Sequence, residues 1–368
     1  MKIGIITFHR ALNYGAVLQC YALKEFLRNQ GHQVSVIDYK VPKIEESKKV
    51  ISFGTLMMSR GIKSKVKYLI DTILTFKRRK KAISNFDKFV NEYLNLTQPI
   101  VSVAEFVNNY DMIVFGSDQI WNPRICGGFD DVMWGKFNKG DSKFVSYAAS
   151  VGELNAISQE QWNTIGTNLS KFNFISVREE ELKKELIKHI QKPVNVCLDP
   201  TLIVPKFIFD SIVELPVRGD YVFLFTVQAD RHAVSFAKRI AEKMHCSTVI
   251  RCQATPLLKV FWSKNDCDYI DSVSPNLFLG LIKKSKCVVA NSFHATALSI
   301  VYEKDFYCLD CPKPERMKNI LNILHLEDRF VNSTDDIEEI NAINYESVNK
   351  ILVDARKESV NYLKMAGI

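Results

Sequence analysis

A histidine follows a short apolar run in the second half of the chain, where a strand is expected to give way to a helix. Cys287–Ala290 has the length and β-branched content of a buried parallel strand, and residues 295–302 have the composition and spacing of a helix. His294 lies between them. In an open α/β sheet this position binds ligands, because unpaired N–H groups and the helix dipole point there. The pattern predicts an anion site that carries an imidazole, with a capping or packed histidine as the alternative.

A second group of polar residues follows an apolar run in the first half of the chain. Residues 112–115 are predicted to form a strand, and they are followed at once by Gly116, Ser117, Asp118, Gln119, Ile120, Trp121 and Asn122. Amides, a carboxylate and an aromatic ring at one strand end are typical of a carbohydrate-binding lip, in which the ring stacks on a sugar and the amides bind its hydroxyls. We therefore expect this group to contact a sugar.

Two further strand ends carry groups suited to polar or anionic ligands. The loop at residues 9–16 has one glycine and no G-x-G-x-x-G pattern, so it is not a dinucleotide fingerprint, but it presents Asn13 and backbone N–H groups. Arg178 follows a predicted strand and precedes two acids. It is expected either to pair with Glu179 or Glu180 on a surface, or to hold a carboxylate or phosphate through both arms of its guanidinium.

Strands and helices alternate along the chain, which predicts an α/β fold with parallel sheets. A strand at residues 2–8, a helix at 15–29 and a strand at 34–39 open the first half, and the same order recurs from residue 221 to residue 251. Two Rossmann-like domains that face a cleft follow from this repetition.

We divide the chain into three parts on this basis. Residues 1–205 form an N-terminal Rossmann-like domain with a basic helical insertion at about 43–95, and residues 206–340 form a C-terminal Rossmann-like domain. The prolines and the glycine between residues 205 and 219 mark the approach to the second domain. Residues 341–368 are predicted to form a helix that packs back on the first domain.

The net charge of +8 is concentrated in one segment. Between Lys40 and Val90, fourteen lysines and arginines stand against four acids, with apolar residues interleaved. This pattern predicts one or two basic amphipathic helices suited to an anionic membrane surface, and a solvated helical insertion is the alternative. No recognised nucleic-acid-binding motif accompanies the charge, so nucleic acid is not an expected partner.

The cysteines and the amino terminus indicate a cytoplasmic protein. Nine cysteines are scattered, several inside apolar runs, and the first residues show no signal-peptide core. No apolar run reaches membrane-spanning length, so the membrane hypothesis is one of peripheral attachment to the inner face of the cell membrane. Cys308 and Cys311 form a C-x-x-C pair, but no second pair stands at metal spacing, and we expect neither a metal nor a cofactor.

Five motifs in a fixed order resemble those of the polysaccharide pyruvyl transferases, over residues 3 to about 310. They are Asn13-Tyr14-Gly15-Ala16-x-Leu18-Gln19, Gly116-Ser117-Asp118-Gln119-x-Trp121-Asn122, Ser176-Val177-Arg178-Glu179, Leu198-Asp199-Pro200-Thr201 and Ser292-Phe293-His294-Ala295. The family resembles two-domain glycosyltransferases of the GT-B type. Its members use phosphoenolpyruvate to place a cyclic pyruvate ketal on a sugar of a surface polysaccharide or of its lipid-linked precursor.

The resemblance implies roles for particular residues. Arg178 matches the arginine that holds phosphoenolpyruvate, and His294 matches the active-site histidine, whose imidazole suits proton transfer near neutral pH. The implied donor-binding residues beside His294 are Ser292, Phe293, Ala295 and Thr296. The implied acceptor-binding residues are Asn13, Gly15, Gln19, Ser117, Asp118, Gln119, Trp121 and Asn122.

One departure from the family pattern bears on the donor. Many members have an arginine and a leucine where this chain has Ser292 and Phe293. A missing guanidinium removes a charge-assisted contact of roughly 1.5–3 kcal/mol unless another base substitutes. The sequence offers Arg251, Lys283 and Lys284 for that part, or else a different donor.

Three functions therefore compete at the level of sequence. The first is a pyruvyl transferase acting on a lipid-linked or nucleotide-linked sugar, with phosphoenolpyruvate as co-substrate. The second is a GT-B-type glycosyltransferase with a nucleotide-sugar donor, and the third is a non-catalytic member that binds a sugar.

Overall fold

The computed structural model describes residues 1–50, 61–217, 219–227, 232–246, 248–253, 267–311 and 314–368. Two six-stranded sheets, each parallel throughout, lie one after the other along the chain. This confirms the predicted α/β class with two Rossmann-like domains facing a cleft. The first sheet contains β1 (Lys2–Ile6), β2 (Gln33–Val36), β3 (Met112–Asp118), β4 (Lys143–Ala149), β5 (Phe174–Val177) and β6 (Val194–Val196), and the second contains β7 (Tyr221–Phe225), β8 (Thr248–Gln253), β9 (Asp268–Asp271), β10 (Cys287–Ala290), β11 (Asp305–Leu309) and β12 (Phe330–Val331).

Helices cover the sheets and connect successive strands, except for β8 and β9, whose connection lies outside the described residues. Within the described residues they are α1 (Tyr14–Asn29), α2 (Pro42–Lys48), α3 (Ile62–Tyr93), α4 (Pro123–Cys126), α5 (Gln159–Leu169), α6 (Glu180–Leu186), α7 (Pro200–Ile203), α8 (Lys206–Asp210), α9 (Ala233–Lys243), α10 (Pro275–Lys284), α11 (Phe293–Val301), α12 (Glu315–Ile323) and α13 (Tyr345–Ala366). Helices between parallel strands cover both faces of a sheet, which is why β1, β3, β7 and β10 are buried almost throughout.

The order of strands places the cleft. The sheets run β2-β1-β3-β4-β5-β6 and β12-β11-β10-β7-β8-β9, so chain order reverses between β1 and β3 in the first sheet and between β7 and β10 in the second. Such reversals open a crevice at the carboxyl ends of the strands, where ligands bind. In this protein residues that follow β1, β3, β7 and β10 line one and the same cleft.

Local sequence explains where the flanking helices begin. Asn13 caps α1, since its side-chain oxygen accepts hydrogen bonds from the Gly15 and Ala16 amides. Ser158 and Gln161 form a reciprocal capping box at the start of α5. The Asn13 cap fixes the chain direction after β1, next to the cleft.

Two helices lie across the domain boundary. The last turns of α3 bury Phe86 and Phe89, and Asn85 Nδ2 donates to the Ser272 carbonyl of the second domain at 2.6 Å. The carboxyl half of α13 packs on the first domain, where the Tyr362 hydroxyl donates to the Ser146 carbonyl at 2.7 Å. Among the described residues, no helix combines the length and apolar character that a membrane span requires.

Candidate active site

The cleft between the domains has a volume of ≈ 500 Å³. Its walls come from the loop after β1, the end of β3, the start of α11 and the start of α12. The residues that line it include Asn13, Asp118, Gln119, Ser292, His294 and Arg316. Each follows the carboxyl end of a strand, as the topology requires.

Asp199 connects the functional side chains beneath the cleft. Its side chain is fully buried, and its Oδ2 lies 2.9 Å from Arg178 Nη1 and 3.5 Å from His294 Nε2. The other oxygen, Oδ1, accepts from the amide and hydroxyl of Thr201 at 3.0 and 2.8 Å, which caps α7. One carboxylate therefore holds a residue of each domain, Arg178 and His294, in a fixed relation.

Electrostatics keep this carboxylate ionised. Burial raises the pKa of Asp199, but the charges of His294 and Arg178 and the Thr201 amide outweigh burial and hold the pKa well below its usual range. Burial likewise lowers the pKa of Arg178, and the surrounding carboxylates of Glu179, Asp199 and Asp118 outweigh it and raise that pKa. The buried charges thus stabilise one another.

Arg178 lies inside the protein and not on a surface. It is 4% exposed and faces Asp199, Glu179 at 3.4 Å and Asp118 at 3.7 Å. Its guanidinium lies over the Phe293 ring, 4.8 Å from the centroid. Its Nη2 is buried without a hydrogen-bond acceptor among the described residues. A buried donor of this kind is costly unless a ligand or water accepts from it.

The Asn13-Tyr14-Gly15-Ala16 motif joins the two domains and seats the histidine. The Tyr14 hydroxyl donates to the Val273 carbonyl at 3.1 Å, and its ring stacks on Phe278 at a centroid distance of 4.1 Å. The next residue, Gly15, contacts the His294 ring so closely that a Cβ on it would lie 1.9 Å from Nδ1. Only glycine leaves room for the imidazole here.

The amino end of α11 opens into the cleft. Ser292 is its N-cap residue but makes no side-chain capping hydrogen bond. The first amides of a helix have no intrahelical acceptor, and together with the dipole they favour an anion. Ser292, Phe293 and His294 line the cleft, whereas Ala295 is buried and Thr296 donates to the Ser292 carbonyl at 3.1 Å.

The residues predicted to bind the acceptor divide into two sets. Asn13, Asp118 and Gln119 line the cleft, and Gly15 adjoins it through His294. The others have structural partners. Gln19 donates to Thr7 and to the Ala16 carbonyl, Ser117 donates to the Ala148 carbonyl and to Asp199, and Asn122 caps α4.

Trp121 lies in the core and not at the edge of the cleft, so it cannot stack on a sugar as the sequence suggested. It is 1% exposed, stacks on Trp134 at 4.9 Å and donates from Nε1 to the Met133 carbonyl. A large ring whose N–H has an internal partner gains more by burial than at a lip.

Sequence reasoning did not select two residues that the structure brings to this site. Asp199 had a visible signal, since Asp-Pro-Thr reads as an N-cap followed by a helix-starting proline. Arg316 had none, because it is one basic residue at the start of an amphipathic helix. Within the described part of the chain, no three His, Cys, Asp or Glu side chains are grouped to hold a metal ion.

Two solved structures to which the chain is similar contain nucleotide-linked sugars. Methanocaldococcus jannaschii UDP-GlcNAc 2-epimerase in complex with UDP-GlcNAc and UDP is 12% identical with a TM-score of 0.49, covering 100% of this chain and 99% of that chain. Escherichia coli heptosyltransferase WaaC with ADP-2-deoxy-2-fluoro heptose is 10% identical with a TM-score of 0.43, covering 96% and 99%. At these levels of similarity the assignment of the GT-B-like fold rests on the two sheets themselves.

Among curated protein sequences, none matches this chain. The family model of polysaccharide pyruvyl transferase matches residues 13–312, which include all five motifs and every residue of the Arg178, Asp199 and His294 cluster. The match covers most of the 368 residues. The chain therefore belongs to the polysaccharide pyruvyl transferase family.

Proposed function

We propose that the cleft transfers the pyruvyl group of phosphoenolpyruvate to a sugar of a surface polysaccharide or of its lipid-linked precursor, forming a cyclic ketal. The observation that carries the proposal is the convergence of Arg178 and His294 on the buried Asp199, beside the uncapped start of α11. This arrangement combines an anion site with a group that can transfer protons.

The proposed reaction balances without a redox partner. A proton adds to the methylene carbon of phosphoenolpyruvate, which becomes the methyl group. Two sugar hydroxyls form two C–O bonds to C2, and the bond between C2 and the phosphate oxygen breaks. One hydroxyl proton is accounted for by the methyl group and the other by the released phosphate. The scheme requires no cofactor.

The residues divide the work according to their charge and position. His294 would deliver the proton or remove one from an attacking hydroxyl, with Asp199 as the carboxylate that orients its ring. Arg178 and the first amides of α11 would hold the phosphate and carboxylate of the donor and stabilise charge as phosphate leaves. Asn13, Asp118 and Gln119 also line the cleft and would accept from and donate to sugar hydroxyls.

The test is phosphate release by the purified full chain. We expect release to require both phosphoenolpyruvate and an acceptor from a panel of nucleotide-linked and lipid-linked sugars. His294→Asn should lower the rate by about 10²–10⁴-fold, the usual contribution of general acid–base catalysis. The matched variant His325→Asn, at an exposed position, should keep the rate.

Three outcomes would count against the proposal. Wild-type turnover in His294→Asn would remove this residue from the mechanism. Glycosyl transfer from a nucleotide sugar would favour the glycosyltransferase alternative. Sugar binding without turnover across the panel would favour a non-catalytic role.

We also propose that α3 attaches the protein to an anionic membrane surface, where a lipid-linked acceptor would be found. Six apolar side chains are exposed among the described residues of its first half, and the most exposed of them, Ile73, is 73% accessible. Lys77, Lys80 and Lys81 continue the exposed surface in the next turns. Apolar side chains followed by lysines suit insertion at a headgroup boundary, and the same charge would repel a second copy of the helix.

A further inference from the structure

Arg316 is a cleft residue that belongs to none of the sequence motifs. It is the second residue of α12, is half-buried, and lines the same cavity as His294 and Asp118. The side-chain amide of Gln119 lies 2.9 Å from both its Nη1 and its Nη2. Because a guanidinium only donates, the amide oxygen faces it. Gln119 therefore orients Arg316 without neutralising it.

The charge on Arg316 is less compensated than the charge on Arg178. Three carboxylates lie within 4 Å of Arg178, whereas Arg316 forms no ion pair with any of the described residues. Burial lowers the pKa of Arg316, and the positive charge of Arg178 lowers it further. The carboxylates of Asp118, Glu179 and Asp199 raise this pKa but do not outweigh those two effects. Arg316 lines the cleft, and Arg178 lies buried behind the cleft residues Asp118 and Phe293. Neighbouring cations repel each other until an anion lies between them.

We propose that Arg316 is the second guanidinium of the donor site and binds, together with Arg178, a ligand that carries both a phosphate and a carboxylate. The inference rests on the proposed function and adds the residue that selects its donor. The Arg316 fork lines the cleft and the first amides of α11 open into it. Arg178 Nη2 lies behind this lining, 3.7 Å from Asp118, and is buried without a hydrogen-bond acceptor among the described residues.

The other basic residues considered from the sequence lie elsewhere. Arg251, Lys283 and Lys284 do not line this cleft and do not pair with its carboxylate Asp118, as Arg178 does. Lys283 instead pairs with Asp210 at 2.7 Å. Ser292 places a short side chain at the edge of the cleft, on the wall that also carries His294. Arg316 reaches the cavity from the neighbouring helix and so supplies a guanidinium that Ser292 does not.

Isothermal titration calorimetry on the full chain tests the assignment, with phosphoenolpyruvate and inorganic phosphate as separate ligands. Arg316→Gln should weaken binding of phosphoenolpyruvate by about 10- to 100-fold, as expected when a charge-assisted contact is lost. Arg316→Lys keeps the charge without the forked guanidinium, so its affinity for phosphoenolpyruvate should lie between those of the wild type and Arg316→Gln. Lys318→Gln, an exposed position on the same helix, should bind as the wild type does.

A gain-of-function variant makes the test specific. Ser292→Arg in the Arg316→Gln background should restore at least part of the lost affinity, because it returns a guanidinium to the same cavity. Unligated variants should unfold at the wild-type midpoint, which separates lost contact from lost fold.

The two proposals fail in different ways. Wild-type affinity in Arg316→Gln overturns the role of Arg316 and leaves phosphoenolpyruvate as the donor. Phosphate binding that depends on Arg316, without any binding of phosphoenolpyruvate, supports Arg316 as the anion ligand and overturns the proposed donor. If the wild type binds neither ligand, both proposals are wrong.

Discussion

A single buried carboxylate, Asp199, contacts both Arg178 and His294, so its replacement should lower the stability of the protein. We expect Asp199→Asn to lower the free energy of unfolding by about 3 kcal/mol, the lower end for a broken buried ion pair, because Glu179 and Asp118 still face Arg178. Chemical denaturation at neutral pH measures this. Phosphate release by the same variant should also fall, since His294 loses the group that orients its ring.

The same residue predicts how stability depends on pH. The pKa of Asp199 is lowered in the folded protein, so the unfolded chain takes up a proton first as the pH falls. The contribution of Asp199 is fully present above about pH 5 and is lost progressively below about pH 4. Unfolding free energy should therefore decline less steeply below pH 4 in Asp199→Asn than in the wild type. An equal slope in both proteins would contradict the assignment, and Asp354→Asn, at an exposed carboxylate, serves as control.

Gly15 should be required for the placement of the histidine. A Cβ at residue 15 would lie 1.9 Å from His294 Nδ1, so Gly15→Ala must displace the imidazole or α1. A displacement of about 1 Å typically costs on the order of 10²-fold in rate, and we expect a loss of that size in phosphate release. Gly219→Ala is the matched control, since a Cβ there meets nothing within 4 Å. Full activity in Gly15→Ala would show that the ring does not need this position.

At the residue scale, the sequence predicted which residues meet at the candidate site better than it predicted their contacts. His294 and Arg178 could be selected because each follows an apolar strand in a sheet of parallel type. The function of Gly15 could not be predicted, because it depends on a contact with His294, which lies more than 200 residues away in the chain. Trp121 was misread because an aromatic ring in a polar loop looks the same whether it turns outward or, as here, onto Trp134.

At the scale of elements, α3 combines two roles in one helix. Its end belongs to the core, where Phe86 and Phe89 are buried. Its first half exposes apolar side chains, and exposed lysines follow in the middle of the helix. Periodicity and charge predicted an amphipathic helix at this place. Which turns would be buried could not be read from periodicity, because basic residues occur on both sides of the helix.

Attachment of α3 to an anionic membrane surface should depend on its exposed lysines. Changing Lys77, Lys80 and Lys81 to glutamate should reduce co-sedimentation with anionic vesicles by about two orders of magnitude or more, at about 1 kcal/mol for each basic residue near the surface. Binding to neutral vesicles should change little. A triple reversal at Lys350, Lys357 and Lys364 on α13 is the matched control, and an equal loss there would reduce the effect to net charge.

At the scale of the molecule, the alternation of strands and helices was sufficient to predict two Rossmann-like domains. The relation between them depends on contacts that no local pattern encodes, such as Tyr14 against Phe278 and the pairing of His294 with Asp199. Ligand binding in a cleft made by both domains stabilises the native state by mass action. The donor can therefore be identified by measuring which ligand raises the unfolding temperature of the protein.

Binding of phosphoenolpyruvate in this cleft is tested most directly by a thermal-shift titration of the purified chain. Inorganic phosphate and uridine diphosphate serve as controls. Saturation at about 100 times the Kd should contribute about 2.7 kcal/mol, and the stabilisation should be selective for phosphoenolpyruvate and absent in Arg178→Ala. No stabilisation by phosphoenolpyruvate, together with stabilisation by uridine diphosphate, would contradict the account and indicate a nucleotide-sugar donor.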